Sequence, residues 1–128
     1  RTVSMAIEGA GVLAGPIRAA GEDVVLTVAG ADPRAKDAVS YRLALPAAVR
    51  EALEAEGGAL SLSAAEQGEF APLFKSPFVV MICRSLVWRG AQQGVIVAWR
   101  VGDTPFSSAD EQRLGRLAAI CVLGLNAV

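Results

Sequence analysis

The sequence predicts one α+β domain, residues 1–128, built on a central antiparallel sheet, and three observations predict it. First, two apolar runs, residues 78–88 and 94–101, flank the short link Arg89-Gly90-Ala91-Gln92-Gln93, the pattern of a long hairpin. Second, residues 11–18 and 24–30 form a similar pair across the Gly-containing turn Ala19-Ala20-Gly21-Glu22-Asp23. Third, Leu114, Leu117, Ala118, Cys121, Val122 and Leu125 recur at spacings of three and four, one face of a terminal helix.

The elements follow in order. Val3, Ala6, Ile7 and Ala10 have helical spacing, so residues 1–10 read as the end of a truncated N-terminal helix. Pro16 cannot donate to a ladder, which marks the first strand as an edge strand or a bulge. Residues 31–40 are a polar loop and 40–45 a short strand. Pro46 suits the opening of a helix whose buried stripe is Val49, Ala52 and Leu53, whose wet face is Arg50, Glu51 and Glu54, and whose stop is Gly57-Gly58. Residues 59–63 alternate Leu60 and Leu62 with Ser61 and Ser63, a half-buried strand. Residues 64–76 hold Phe70, Pro72, Leu73 and Phe74, too apolar for a solvated loop. Ser108-Ala109-Asp110-Glu111 is a capping box for the last helix. That helix has no stop signal and reads as a connector to an output domain.

Composition narrows the function classes. Apolar residues make up 53% and charged residues 20%, which argues against disorder and leaves apolar surface for a partner or a pocket. Lys and Arg number 12 against 13 Asp and Glu, with no basic run, so nucleic acid and anionic lipid are unfavoured partners. Histidine is absent, which removes the commonest metal ligand and neutral-pH base; no enzyme, metal or cofactor is expected. Cys83 and Cys121 sit apart in apolar runs and read as reduced core thiols in a cytoplasmic setting. No stretch is apolar for long enough to span a membrane, and no signal-peptide pattern is visible.

The segment Cys83-Arg84-Ser85-Leu86-Val87-Trp88-Arg89-Gly90-Ala91-Gln92-Gln93-Gly94-Val95-Ile96-Val97 resembles the signature of GAF domains, a strand that turns through a Gly-containing loop and returns as Gly-Val-Leu. Thr104-Pro105-Phe106-Ser107-Ser108-Ala109-Asp110-Glu111 looks like that family's entry into its last helix. Residues 49–62 are similar to its middle helix, Gly turn and strand. Ser85 departs from the usual proline, and the Asp that often follows the middle strand is missing after Ser63. The resemblance covers residues 11–128. PAS-like domains share the same sheet-plus-pocket plan.

The resemblance implies a sheet of about five to six strands with the terminal helices on one face. A helix and loops would close over a small-molecule pocket on the other. It also implies a regulatory, sensory domain of a bacterial signalling protein that homodimerises through its terminal helices. The attached output domain would be a kinase, a cyclase or phosphodiesterase, or a transcription activator. A ligand-free dimerisation or interaction scaffold is the alternative, and a thiol-dependent reductase a distant third. Candidate pocket residues are Tyr41, Phe70, Phe74, Cys83 and Arg84. The aromatics suit a planar ligand but equally suit core filling. Arg84 is the one charge in an eleven-residue apolar strand; if buried it needs an anion, and otherwise it is a solvated edge residue. Phe106 with Asp110-Glu111 matches half of a cyclic-nucleotide motif, yet helix capping asks for the same residues.

Overall fold

The computed structural model describes residues 7, 10–28, 30–31 and 42–126. Its strands are β1 (Gly11–Ala20), β2 (Asp23–Thr27), β3 (Gly30–Ala31), β4 (Arg42–Ala44), β5 (Gly57–Ser63), β6 (Phe78–Trp88) and β7 (Ala91–Val101). The helices are α1 (Ala47–Glu54), the single turn α2 (Ala71–Phe74) and α3 (Ser108–Asn126). The architecture is α+β, and the open sheet runs in the order β4-β2-β1-β7-β6-β5 with two-residue β3 beside β1. Every pairing among the described residues is antiparallel.

The two hairpins expected from sequence both form, with tighter turns. Ala20 faces Asp23 across Gly21-Glu22, and Trp88 faces Ala91 across Arg89-Gly90. Arg89 and Gly90 both take positive φ, 52° and 78°, the requirement of a type I′ turn, whose twist matches that of the strands it joins. β7 therefore starts three residues before the apolar run does.

Side chains of β1, β7 and β6 are buried on both faces of the sheet. Leu13, Val79, Met81, Cys83, Val95, Val97 and Trp99 join one core with Val49 and Leu53 of α1 and with Phe70 and Phe74. Their neighbours Val12, Ala14, Ile82, Leu86, Ile96 and Ala98 join a second core with Leu114, Leu117 and Ala118 of α3. Ile7 and Ala10 are buried in this second core, while the rest of the proposed N-terminal helix lies outside the described residues. So does most of the 31–40 loop.

Local details depart from the sequence reading. Pro16 belongs to an interior strand: it pairs with Gly94, at the point where the other neighbour of β1 changes from β3 to β2 and the ladder is interrupted. Pro46 stands one residue ahead of α1, in extended conformation with ψ 149°. The Gly57-Gly58 pair opens β5 rather than closing α1; Glu56 takes the left-handed turn instead, with φ 66°.

The cap of α3 is shifted by one residue. The Ser107 hydroxyl accepts from the amide of Asp110 at 3.1 Å, and the Asp110 carboxylate accepts from the Ser107 amide at 3.2 Å. Arg100 braces this end of the helix: it lies 3.5 Å from Asp110 and stacks 4.4 Å over the Phe106 ring. Burial raises the Asp110 pKa, but the Ser107 hydrogen bonds and Arg100 outweigh it and hold the carboxyl below its ordinary value. The far end of α3 is tied by a reciprocal amide pair. Asn126 Nδ2 donates to Gln93 Oε1 at 2.8 Å, and Gln93 Nε2 donates to Asn126 Oδ1 at 3.1 Å.

This geometry distinguishes two adjacent serines. Ser107→Ala is expected to lower stability in urea denaturation by about 1 kcal/mol, the usual worth of an N-cap, whereas Ser108→Ala stays within ~0.5 kcal/mol. Equal losses for both variants would be inconsistent with the Ser107 cap.

Candidate functional site

Of the five residues singled out from sequence, the four that the structure describes divide into two pairs: Phe70 and Phe74 belong to the core, and Cys83 and Arg84 border one cleft. Phe70 and Phe74 are buried in the first core, 5.7 Å apart between ring centroids, and Phe74 lies 5.2 Å from the Trp99 ring. The segment that carries them, two 3-10 turns leading into α2, is held by Gln67. This glutamine is 1% exposed, and its Nε2 donates to the carbonyls of Ser76 at 2.9 Å and Leu62 at 3.4 Å. These contacts press the two phenylalanines into the sheet as core filling. Tyr41 lies outside the described residues.

Cys83 and Arg84 are successive residues of β6, so the strand's period of two sends them to opposite faces. Cys83 belongs to the first core, where burial pushes its thiol up to about 11. Cys121 packs against the second core, on the other side of the sheet, and burial raises its pKa too. Neither thiol is set up as a nucleophile, because both environments disfavour the thiolate.

Arg84 is exposed, on the α3 side of the sheet, the solvated one of the two alternatives that the sequence leaves open. The reason is the pair of residues around it. Its register partner on β5 is Gly57, which has no side chain to cover it. Above it on α3 is Gly115, where a Cβ would stand 2.9 Å from Arg84 Nη1. Arg84 thus emerges through a slot between two glycines, its guanidinium resting against the helix.

That slot opens into a cleft of about 360 Å³ between α3 and the β5–β6 edge. It is lined by Ala55, Glu56, Gly57, Gly58, Ile82, Cys83, Arg84, Glu111 and Leu114. The turn from α1 into β5 shapes one rim. Gly57 has φ 142°, and a Cβ there would stand 2.3 Å from the Cys83 carbonyl oxygen, so β5 can close on β6 only with glycine at this position. The Glu56 carbonyl accepts from the Ser85 amide at 2.9 Å, which continues the pairing past the end of β5. A smaller cleft of about 170 Å³ lies further along the same side, among Ala59, Ser61, Val80, Asp103, Pro105 and Phe106. Both clefts exist because residues 57, 59 and 61 of β5 are small and α3 sits over β6 and β7.

Sequence reasoning missed Glu56, Gly57, Glu111 and Gly115 as site residues. The helix-stop reading absorbs Gly57 and the capping-box reading absorbs Glu111, while Glu56 and Gly115 carry no signal of their own. Phe106 and Asp110 serve the Arg100 clamp and the α3 cap, which accounts for both without a nucleotide.

No helix among the described residues is long and apolar enough to cross a membrane. The chain matches no known family model, and no curated protein matches its sequence.

The Cys83 environment has a consequence for alkaline stability. Below pH 9 both folded and unfolded chains hold the proton and its contribution is complete. Between about 9 and 11 the unfolded chain gives it up while the fold retains it, so stability falls as pH rises. Urea titrations at pH 8 and 10.5 should show Cys83→Ala losing less between the two than the parent chain. Identical losses would contradict a buried, protonated thiol.

Proposed function

We propose that this chain is a GAF-like regulatory module that pairs with a second copy through α3 and passes changes in helix packing to an attached output domain. The supporting observation is the outward face of α3. Leu114, Leu117 and Ala118 bury one face of the helix, while Leu123 is 64% exposed on the opposite one and Ile120, 43% exposed, lies on the flank between them. Outward positions Ala109, Gln112, Arg116, Ala119 and Leu123 follow spacings of three and four, the seam of a two-helix contact. The seam is polar toward the helix start and apolar toward its end. Ala119 and Gly124 are small enough for close approach of a second helix.

The filled interior bears on which version of the reading is favoured. Phe70, Phe74 and Trp99 occupy the space over the sheet where a GAF-like pocket is expected, and Phe70 has no exposed surface. This supports a helix-mediated scaffold over a sensor with an enclosed aromatic pocket on that face. A ligand acts on such a scaffold only by binding one packing of α3 better than another. The reading gives the chain no catalytic step: its two thiols lie in separate cores on opposite faces. It places the module in a cytoplasmic signalling protein and needs no nucleic acid, lipid or metal.

Sedimentation equilibrium tests it. The chain is expected to dimerise reversibly, and Leu123→Asp to weaken the dimer at least tenfold, which corresponds to about 1.4 kcal/mol, without lowering the unfolding midpoint of the monomer. A chain that stays monomeric at all concentrations would overturn the reading, and an unaffected dimer in Leu123→Asp would remove α3 from the interface.

A further inference from the structure

We propose that the cleft between α3 and the β5–β6 edge receives a free aliphatic α-amino acid. The lining has the three parts such a ligand needs. Arg84 supplies a guanidinium that suits a carboxylate by its planar fork. Glu111 and Glu56 supply carboxylates for an ammonium group. Ala55 borders the cleft with a methyl group, and Ile82 and Leu114, each 2% exposed, form its apolar floor beneath the side chain. The volume of about 360 Å³ lies within the range of small-molecule sites and exceeds what one amino acid fills, leaving room for water.

The charges are arranged rather than merely present. Gly115 seats the guanidinium against the helix, and Glu111 stands one turn earlier on the same helix. Side chains one turn apart are about 5–6 Å apart at their Cβ atoms, a gap that a single α-carbon bearing both charges can bridge. None of Arg84, Glu56 and Glu111 makes an ion pair among the described residues. A simple anion would meet two carboxylates beside the guanidinium, and a simple cation would meet the guanidinium. A zwitterion satisfies both signs at once.

Gly115 carries a conformational cost. Glycine within a helix is less favourable than alanine, and here what it leaves open is the seat of Arg84. Bound ligand would touch α3 at Glu111 and Leu114 and the sheet at Ile82 and Arg84, and so would bridge the helix to the strands beneath it. This inference rests on the regulatory reading for its consequence, but not for the binding itself.

Isothermal calorimetry on the full chain, and in parallel on its Leu123→Asp variant, separates the two. The probes are L-leucine, L-valine and L-methionine, with N-acetyl-L-leucine, L-leucinamide and 4-methylpentanoate as analogues lacking one charge. At least one amino acid is expected to bind both forms, with each analogue of L-leucine at least tenfold weaker than its parent. Arg84→Gln and Glu111→Gln are each expected to weaken binding at least tenfold with an unchanged unfolding midpoint. Gly115→Ala should weaken it while the helix itself becomes no less stable. Absence of heat from all three amino acids, equal binding of a singly charged analogue, or full binding by Arg84→Gln would overturn the site. None of those outcomes touches the dimer measurement, and loss of the dimer leaves this one intact.

Discussion

Burial of β1, β7 and β6 on both faces is the constraint from which the rest of the molecule follows. A strand covered on one side alternates polar and apolar residues, whereas a strand covered on both must be apolar throughout. Val79 to Cys83 and Val95 to Trp99 are such runs. Two covers are then obligatory. α1 with the Phe70–Phe74 segment supplies one, and α3 with Ile7 and Ala10 supplies the other. The outer strands escape this rule: β5 has only Leu62 fully buried, and the outer half of β1 is largely exposed. The clefts lie where one cover stops short of the sheet's edge.

Two-sided burial also explains which elements the residue pattern announces. β6 has the bounds expected of it, because an eleven-residue apolar run between polar links leaves little choice. β7 extends three residues further back, since pairing with β6 recruits Ala91, Gln92 and Gln93 whatever their polarity. Caps were displaced by one residue for a different reason. Ser107 and Ser108 are equivalent in local propensity, and what distinguishes them is the reciprocal bonding of Ser107 with Asp110, whose carboxylate also meets Arg100 near the end of β7. Pro16 shows the same limit: proline excludes an uninterrupted interior ladder, but not a place where one neighbour strand gives way to another.

The candidate site was the least legible part. Cys83 stands out by its thiol and Arg84 by its lone charge, and adjacency in a strand sends their side chains to opposite faces. Phe70 and Phe74 have the composition of a pocket wall and the placement of a core, and only the Gln67 tether tells the two apart. Arg84 is informative through its neighbours. Gly57 is 27 positions before it and Gly115 31 positions after, so the opening they leave is a property of the register and of the helix seat, invisible in either segment alone.

The final helix is fastened at both ends, by Ser107, Asp110 and Arg100 where it begins and by the Gln93–Asn126 amide pair where it finishes. Sliding lengthwise would break both fastenings together. Rolling about its own axis, or bowing at mid-span, strains them far less, and the span between is where the unsubstituted carbon at position 115 meets the guanidinium. In the proposed dimer, a signal carried by this element would therefore be torsional rather than piston-like, and it would reach the neighbouring helix as a change in which side chains face it.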